Sequence, residues 1–476
     1  MISFPRAAAR AVLAVARHAV VGRPRGPAPP VTLSPADGAV IFSVVLPQLV
    51  VQLRVPTDRV GDATIVLPME ALEAVEGTGT DPVTVETKGR RAVLRWTDRG
   101  QPRSKEVEAG PRRPMRDEPV EPSTFAAMPP EFVVALHEAG RSAGRPTGRY
   151  ALDRVQLKGR TGDVVASDGA SAYLHGGFAF SFAEDLLVPA TAVFGAADLR
   201  GEPVGLGRST THLAVRIGPW TVSLPLDDGG RFPDVAAVVP KAAPGKLLRI
   251  DDADAEELRA ALPKLPGAGE EHRPVTLDTG NGRVPVVRAR AAGSGDVVEV
   301  RLDRSTTPKG MAAVALDRAF LDRALRLGCR TFHVAAADKP VAARCGRLTL
   351  VAVPLDASMI VAGTLQAIVR RIATPPVPTV DREATPSAST ALVPLIPAST
   401  EAMVLTEPGE LLTEIAPSET VDPLAEAEAL RDACVDAGHR VARLLAWFKA
   451  RRREPKAIAK VWSSLQSLKL RPGGPQ

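Results

Sequence analysis

The residues able to do chemistry are few and scattered. Seven histidines are dispersed over 476 residues. No H-E-x-x-H spacing sets two of them on one helix face, as a zinc site of that type requires. His175 and His333 each stand alone and are read as structural. Cys329, Cys345 and Cys434 are odd in number and share no C-x-x-C spacing. Neither a zinc site nor a disulfide framework is expected, and a reducing cytoplasm is the easier setting. Asp227 and Asp228 lie in a turn signal, where a carboxylate bonds nearby backbone rather than moving protons. Gly205-Leu206-Gly207 lacks the third glycine and the following helix of a dinucleotide loop, and there is no G-x-x-x-x-G-K-[ST] or G-x-S-x-G. These observations predict a protein that is not an enzyme and needs no cofactor or metal.

Composition narrows the class further. Hydrophobic residues at 45% and charged residues at 24% are those of a soluble globular chain with enough apolar material for sizeable cores. The length suggests about three domains. A formal charge of +6 and a pI near 9.4 favour a polyanionic partner. Aromatic content of 4% argues against a platform that stacks single-stranded bases. No segment reaches the roughly 18 uninterrupted apolar residues of a membrane span. Arg6 and Arg10 within an Ala/Val run look superficially like a targeting peptide, but Arg17 and His18 interrupt the run and no small-residue cleavage site follows.

The elements repeat. An apolar strand end running into a short amphipathic helix occurs at residues 65–72, 187–193 and 314–321, and Pro68 and Pro189 suit a first helical position. A second helix is expected earlier in each unit, at 4–20, 130–144 and 254–262. Alternating strands such as Thr84-Val85-Glu86-Thr87 and Ala92-Val93-Leu94-Arg95-Trp96 fill the intervals. The interval of roughly 120 residues is domain-sized. The expectation is an α+β chain of three repeated domains, 1–122, 123–246 and 247–370, each with two helices and antiparallel sheets. Residues 371–420, rich in Pro, Thr and Ser as at Thr374-Pro375-Pro376, read as a flexible linker. From 421 to 476 a helical stripe returns (Leu430, Cys434, Ala437, Val441, Leu444, Leu445, Phe448), followed by Lys449, Arg451, Arg452 and Arg453.

Several motifs resemble those of bacterial DNA polymerase β sliding clamps. Arg149-Tyr150-Ala151-Leu152-Asp153-Arg154 followed by Ala166-Ser167-Asp168-Gly169 is similar to the R-Y-x-L-N-G and A-T-D-G runs of that family. Leu187-Val188-Pro189 continues the match, which is strongest at Asp228-Gly229-Gly230-Arg231-Phe232-Pro233-Asp234 with Val238-Val239-Pro240. Val351-Ala352-Val353-Pro354-Leu355-Asp356 resembles the family's final strand. The resemblance covers about residues 1–360.

The resemblance implies a head-to-tail homodimeric ring around double-stranded DNA, with helices lining the hole and sheets outside. A topological tether needs no catalytic constellation, only basic side chains that meet phosphates without reading sequence. Candidates are Arg6, Arg10 and Arg17, then Arg141 and Arg145, then Arg318, Arg323 and Arg326. The family's peptide groove, carried over position by position, would be lined by Arg149, Leu152, Ser167, Gly169, Ala172, Pro233, Val238, Val351, Val353, Pro354 and Leu355. The implied partners are DNA polymerase or repair proteins carrying short clamp-binding peptides, and a clamp loader. This chain departs from the pattern in four places. Ala170-Ser171-Ala172 replaces His-Arg-Leu, and Asp356 replaces an arginine. Pro263 and Pro266 cut the interface helix, and the facing strand Pro102-Arg103-Ser104-Lys105-Glu106-Val107 lacks an aromatic anchor. The 421–476 segment, foreign to the family, suits a helical oligomerisation or protein-docking segment or, in the alternative, a DNA-touching arm, and Gln466-Ser467-Leu468-Lys469-Leu470 loosely resembles a clamp-binding peptide. The alternative is a protein-interaction scaffold that keeps the fold without encircling DNA.

Overall fold

The computed structural model describes residues 1–19, 27–58, 61–110, 119–201, 203–241, 246–280, 283–291, 296–363 and 368–369. They belong to the unit Met1–Thr379. The expected linker (371–420) and helical extension (421–476) lie outside the described residues.

One order of elements is run through three times. The first pass is β1 (Ile2–Pro5), α1 (Arg6–Ala19), β2 (Val31–Ala36), β3 (Ala39–Leu46), β4 (Leu49–Pro56), β5 (Ile65–Leu67), α2 (Met69–Val75), β6 (Pro82–Lys88), β7 (Arg91–Asp98) and β8 (Gln101–Glu108). The second is β9 (Ala126–Met128), α3 (Glu131–Ser142), β10 (Arg154–Lys158), β11 (Asp163–Ser167), β12 (Ser171–His175) and β13 (Leu186–Pro189), then β14 (Val204–Arg208), β15 (His212–Ile217) and β16 (Trp220–Pro225). A connecting helix, α4 (Val235–Val238), precedes the third pass. That pass is β17 (Leu247–Arg249), α5 (Asp252–Ala261), β18 (Pro274–Asp278), β19 (Val286–Arg290), β20 (Val297–Arg301), β21 (Val314–Asp317), α6 (Arg318–Arg326), β22 (Thr331–His333), β23 (Val341–Cys345) and β24 (Leu348–Ala352). A two-residue strand, β25 (Ile368–Val369), comes last.

The expected helices are present with one exception. After Pro189 the chain makes two 3-10 turns, Val193–Gly195 and Ala197–Leu199, in place of an α-helix. The cause is close packing against α3. A Cβ on Gly195 would come within 2.5 Å of the His137 ring, and one on Gly140 within 2.6 Å of the Thr191 carbonyl oxygen. Glycine at 195 lets the loop approach α3 but weakens helix formation there. The other helices follow their apolar spacing: α1 buries Ala8, Ala9, Val12, Leu13, Val15 and Ala16 along one side.

The sheets join the passes. The half-sheet β5-β2-β3-β4 runs through the β4·β16 pair into β16-β15-β14-β9, giving eight strands. In the same way β13-β10-β11-β12 runs through β12·β24 into β24-β23-β22-β17. Both junctions are antiparallel, with Val222 opposite Val51 in the first and Ala172 opposite Val351 in the second. Among the described residues two equivalent half-sheets are left without such a partner. They are β1-β6-β7-β8, which ends at an open β8, and β21-β18-β19-β20, whose β20 carries only β25 in parallel pairing. No helix among the described residues is long and apolar enough to cross a membrane.

The end of α5 shows how a proline-cut helix is completed. The helix stops at Ala261, and a 3-10 turn, Leu262–Lys264, takes in Pro263. Helix ends leave carbonyls without intrahelical donors. Here the Arg318 guanidinium supplies one for the C-cap residue Leu262, at 3.2 Å, and also donates to the carbonyls that follow the turn, Leu265 at 2.9 Å and, closer still, Pro266. Arg318 is buried. Arg318→Ala is expected to lower the unfolding free energy by about 3 kcal/mol, because the carbonyls lose their donors in a dry site. Arg318→Lys should recover only part of this, since an ammonium cannot reproduce the planar fork. Urea titration of both variants checks it.

Candidate functional site

The predicted groove is centred on the β12·β24 junction. Pairing places Ala342, Val351 and Ala172 in one row across β23, β24 and β12, and Val165 opposite Leu174 across β11 and β12. Side chains two residues apart on a strand share a face, so these rows merge into one apolar surface. Val165, Ala172, Val235, Ala342 and Val351 form a buried cluster separate from the main core, with Leu174, Phe232 and Val239 partly buried against it. Val235 comes from α4, so the connector lies across the junction.

Polar contacts hold the connector in place. Asp227 accepts the N–H groups of Gly229 at 3.1 Å and Gly230 at 2.9 Å, and pairs with Arg154 at 2.8 Å. That arginine is the main reason its carboxyl sits below the usual carboxylate range. The Asp234 side chain caps α4 through the Ala236 N–H, and Arg344 donates to the Pro240 carbonyl at 2.7 Å. Asp227-Asp228 is thus a turn element, as its residue types suggested.

The rim of the groove is built by the β11–β12 turn. Asp168 accepts the N–H groups of Ala170 at 2.9 Å and Ser171 at 2.6 Å, while the Ser167 hydroxyl donates to the Ser171 carbonyl at 2.8 Å. Gly169 takes a positive φ of 91°, which only glycine adopts without strain. Leu152 is buried beside it. Arg149 is exposed, its guanidinium 5.1 Å from the Tyr150 ring centre, with Arg231 5.6 Å from the same ring. Val238 and Val353 are among the most exposed large apolar side chains, at 54% and 56%.

The structure therefore divides the predicted groove. Ala172 and Val351 share the apolar cluster, with Leu152, Ser167 and Gly169 placed by the adjoining turn. Val353, Pro354 and Leu355 line a second cleft of about 540 Å3, which also reaches Ala172 and is closed by Phe320, Arg323 and Arg326. Asp356 caps the next turn through the Ser358 N–H at 2.8 Å, a bond that holds its carboxyl low. Sequence reasoning missed Val165, Leu174, Val235 and Ala342: strand alternation from Ala172 carries the signal for Leu174, while Val165 and Ala342 are placed by register across neighbouring strands.

The β4·β16 junction has a different character. Its cleft, of about 410 Å3, is lined by Gln52, Arg54, Glu121 and Arg216, with the Arg216 guanidinium 3.8 Å over the Phe125 ring and paired to Glu121 at 2.7 Å. A polar lining does not suit an apolar peptide tail.

The basic candidates also divide. Arg10, Arg17, Arg141, Arg145 and Arg326 are exposed. Arg17 has loose pairs with Glu73 at 3.7 Å and Glu76 at 4.0 Å, and Arg141 pairs with Glu138 at 3.1 Å. The other three are built into the protein. Arg6 donates to the carbonyls of Val75, Glu76 and Thr97 and pairs with Asp98 at 2.9 Å. Arg318 caps α5 as described. Arg323 joins α6 to α3: it donates to the Glu138 carboxylate at 2.9 Å and to its backbone carbonyl at 2.6 Å, and lies 5.8 Å from the Tyr173 ring centre. Side chains so engaged are not available to a phosphate. Helix position alone did not distinguish them, because each meets a carbonyl or carboxylate far away in sequence.

Isolated reactive groups are quiet. Burial pushes the Cys329 thiol up to about 12, and Cys345 is exposed. Among the described residues no group of three His, Cys, Asp or Glu could hold a metal ion. Both ring nitrogens of His333 are buried without a hydrogen-bond partner among the described residues. Burial is the main cause that holds His137, His175 and His333 below the ordinary imidazole value, with Arg344 and Lys246 adding to it at His333.

The threefold pass of elements, the shared sheets and the groove at the second junction define a known class of architecture. The fold is that of bacterial DNA polymerase sliding clamps. The DNA polymerase III subunit beta of Pseudomonas aeruginosa has a TM-score of 0.61 at 17% identity, covering 74% of this chain and 99% of that one. The beta subunit of Thermotoga maritima gives 0.59 at 14%, and the pol III beta of Caulobacter crescentus 0.59 at 19%, each covering 75% of this chain and 99% of its own. At such identities the likeness is one of fold, and this chain is a divergent example of it. No protein-family model and no curated protein matches the sequence.

Two outcomes follow from the buried groups. The three histidines charge more readily in the unfolded chain, with an ordinary value near 6.5, so unfolding takes up protons below that pH. Stability should hold above about pH 6.5 and fall as the pH drops from there towards 5. His333→Phe should flatten part of that slope in urea titrations across this range. In a Cys434→Ser background at pH 8, a thiol reagent should label Cys345 rapidly and Cys329 only on unfolding, as peptide mapping would show.

Proposed function

We propose that this chain is a non-enzymatic, sliding clamp-like processivity factor. Two copies join head to tail into a ring around duplex DNA, and the groove at the β12·β24 junction tethers polymerase or repair proteins by short apolar peptides. The observation that carries the ring is the unmatched pair of half-sheets. Three half-sheets of one kind and three of the other occur, and two pairs are already joined within the chain. The remaining β8 and β20 ends are complementary in kind, so the third junction needs a second copy. Such a contact is heterologous, and rotation that closes it gives a ring.

The remainder of the proposal follows from that closure. The domains are 1–122, 123–246 and 247–370, with boundaries that fall between β8 and β9 and between α4 and β17. Arg10, Arg17, Arg141, Arg145 and Arg326 supply the cations that face phosphates. Contact is non-specific, so affinity falls steeply with salt. A closed ring needs a clamp loader to open it, and the setting is cytoplasmic. The groove takes an apolar tail, because Val238 and Val353 are exposed beside the buried cluster of Val165, Ala172, Ala342 and Val351 and its polar anchors are few.

Retention on DNA tests the ring. The chain should stay with a circular duplex through gel filtration in high salt and be released when the circle is cut. Equal retention on circle and linear duplex, or on neither, would sink encirclement and leave an interaction scaffold with the same fold. Groove binding is tested separately by fluorescence anisotropy with a labelled peptide bearing a leading Gln and an apolar tail. Val351→Glu should weaken it about tenfold or more, a loss of roughly 1.4 kcal/mol, and Asp228→Asn should not.

A further inference from the structure

The third junction position is already occupied. β25 lies on the edge of β20, with Val298 opposite Ile368 and Glu299 opposite Val369. It is the one parallel pairing among the described strands, and it extends over two residues. At the other two junctions the equivalent strands, β4 and β12, carry the antiparallel strands β16 and β24. Resting on the head-to-tail reading, we propose that β25 is a built-in plug: the chain's own segment at 368–369 covers the β20 edge and competes with β8 of a second copy for it.

The plug is tethered close to its site. Just before it, Val361 is buried, and its N–H donates at 2.8 Å to the Thr276 hydroxyl on β18 in the same sheet. Only residues 362–367 separate that anchor from β25. A tether so short holds its segment at an effective concentration on the order of millimolar. Yet a two-residue parallel ladder is weak, since parallel pairing is slightly less stable per residue than antiparallel and few bonds form. A longer antiparallel strand from a second copy can therefore displace it when the concentration of chain, or a partner that holds two copies together, is high enough.

The β8 edge is suited to the role of competitor. Ala109, next to its end, donates its N–H to the Arg90 carbonyl, towards the β7 side. Strand alternation then turns the N–H groups of Ser104 and Glu106 outward, and places Pro102, which has none, at an outward position where a proline is tolerated. The exposed Arg103 and Glu106 blunt this edge against indiscriminate pairing. The outward donors stay free for a strand of the right partner.

The test uses the full chain. Ile368→Pro with Val369→Pro removes the donors of β25 and should raise dimer formation in sedimentation velocity about tenfold or more over wild type. Ile368→Gly with Val369→Gly should act in the same direction, which separates loss of the plug from an effect of proline on folding. In the dilute wild-type chain the peptide spanning Val297–Arg301 should be protected from hydrogen exchange, and lose part of that protection in both variants while its amides bonded to β19 stay protected. Adding Ser104→Pro to the unplugged chain should cancel the gain in dimer. An unchanged dimerisation constant in both variants would overturn the plug, and a gain that survives Ser104→Pro would overturn β8 as its competitor. An unplugged dimer that leaves circular DNA as fast as linear would support the plug and refute the ring. Wild-type retention on circles with no change on unplugging would refute the plug and leave the ring standing.

Discussion

Everything in this chain depends on the pairing of sheet edges. A strand at the edge of a sheet presents unpaired N–H and C=O groups, and these must find water, a cover or another strand. The chain resolves two such edges internally, at β4·β16 and β12·β24, and in doing so turns three passes of one modest α+β unit into continuous eight-stranded sheets. The helices follow from this. α1 packs against the turns of the second pass, and α6 reaches α3 through the Arg323–Glu138 pair. The groove also follows, because the connector that carries α4 must cross the outer face of the second junction to reach the third pass.

The two internal junctions differ in a way that bears on function. At β12·β24 small and branched side chains face outward beneath Val235 and Phe232, leaving an apolar surface with Val238 and Val353 exposed near it. At β4·β16 the corresponding surface is occupied by Arg54, Glu121 and Arg216. A repeat thus supplies the same backbone scaffold twice, and side-chain choice makes only one of the two fit for a hydrophobic ligand.

Arginine illustrates how far position in the fold overrides residue type. Arg318 completes a helix that Pro263 cuts short, Arg323 neutralises a buried Glu138, and Arg6 binds carbonyls at the end of α2. Arg10, Arg17 and Arg326 point from the same helices into solvent. In the sequence these six look alike: basic residues on amphipathic helices. A guanidinium is always charged, so once it is buried it must be satisfied by carbonyls or carboxylates. Those acceptors come from residues as distant as 185 positions along the chain.

The fold class, the threefold order of elements and most helix positions were legible in the sequence, because apolar periodicity, proline placement and turn residues are local signals. So was the turn role of Asp227, Asp168 and Gly169, since each bonds its own neighbourhood. The failed helix after Pro189 was not legible, because close packing of His137 and Thr191 against glycines is a contact between elements. The apolar cluster around Val351 was half legible: its strands were marked by motif, but which faces meet was decided by register across β12 and β24. The β25 plug was invisible in sequence. Two apolar residues near 368 have no local pattern of their own, and only the tertiary structure, by bringing an unpaired edge to them, makes them a strand.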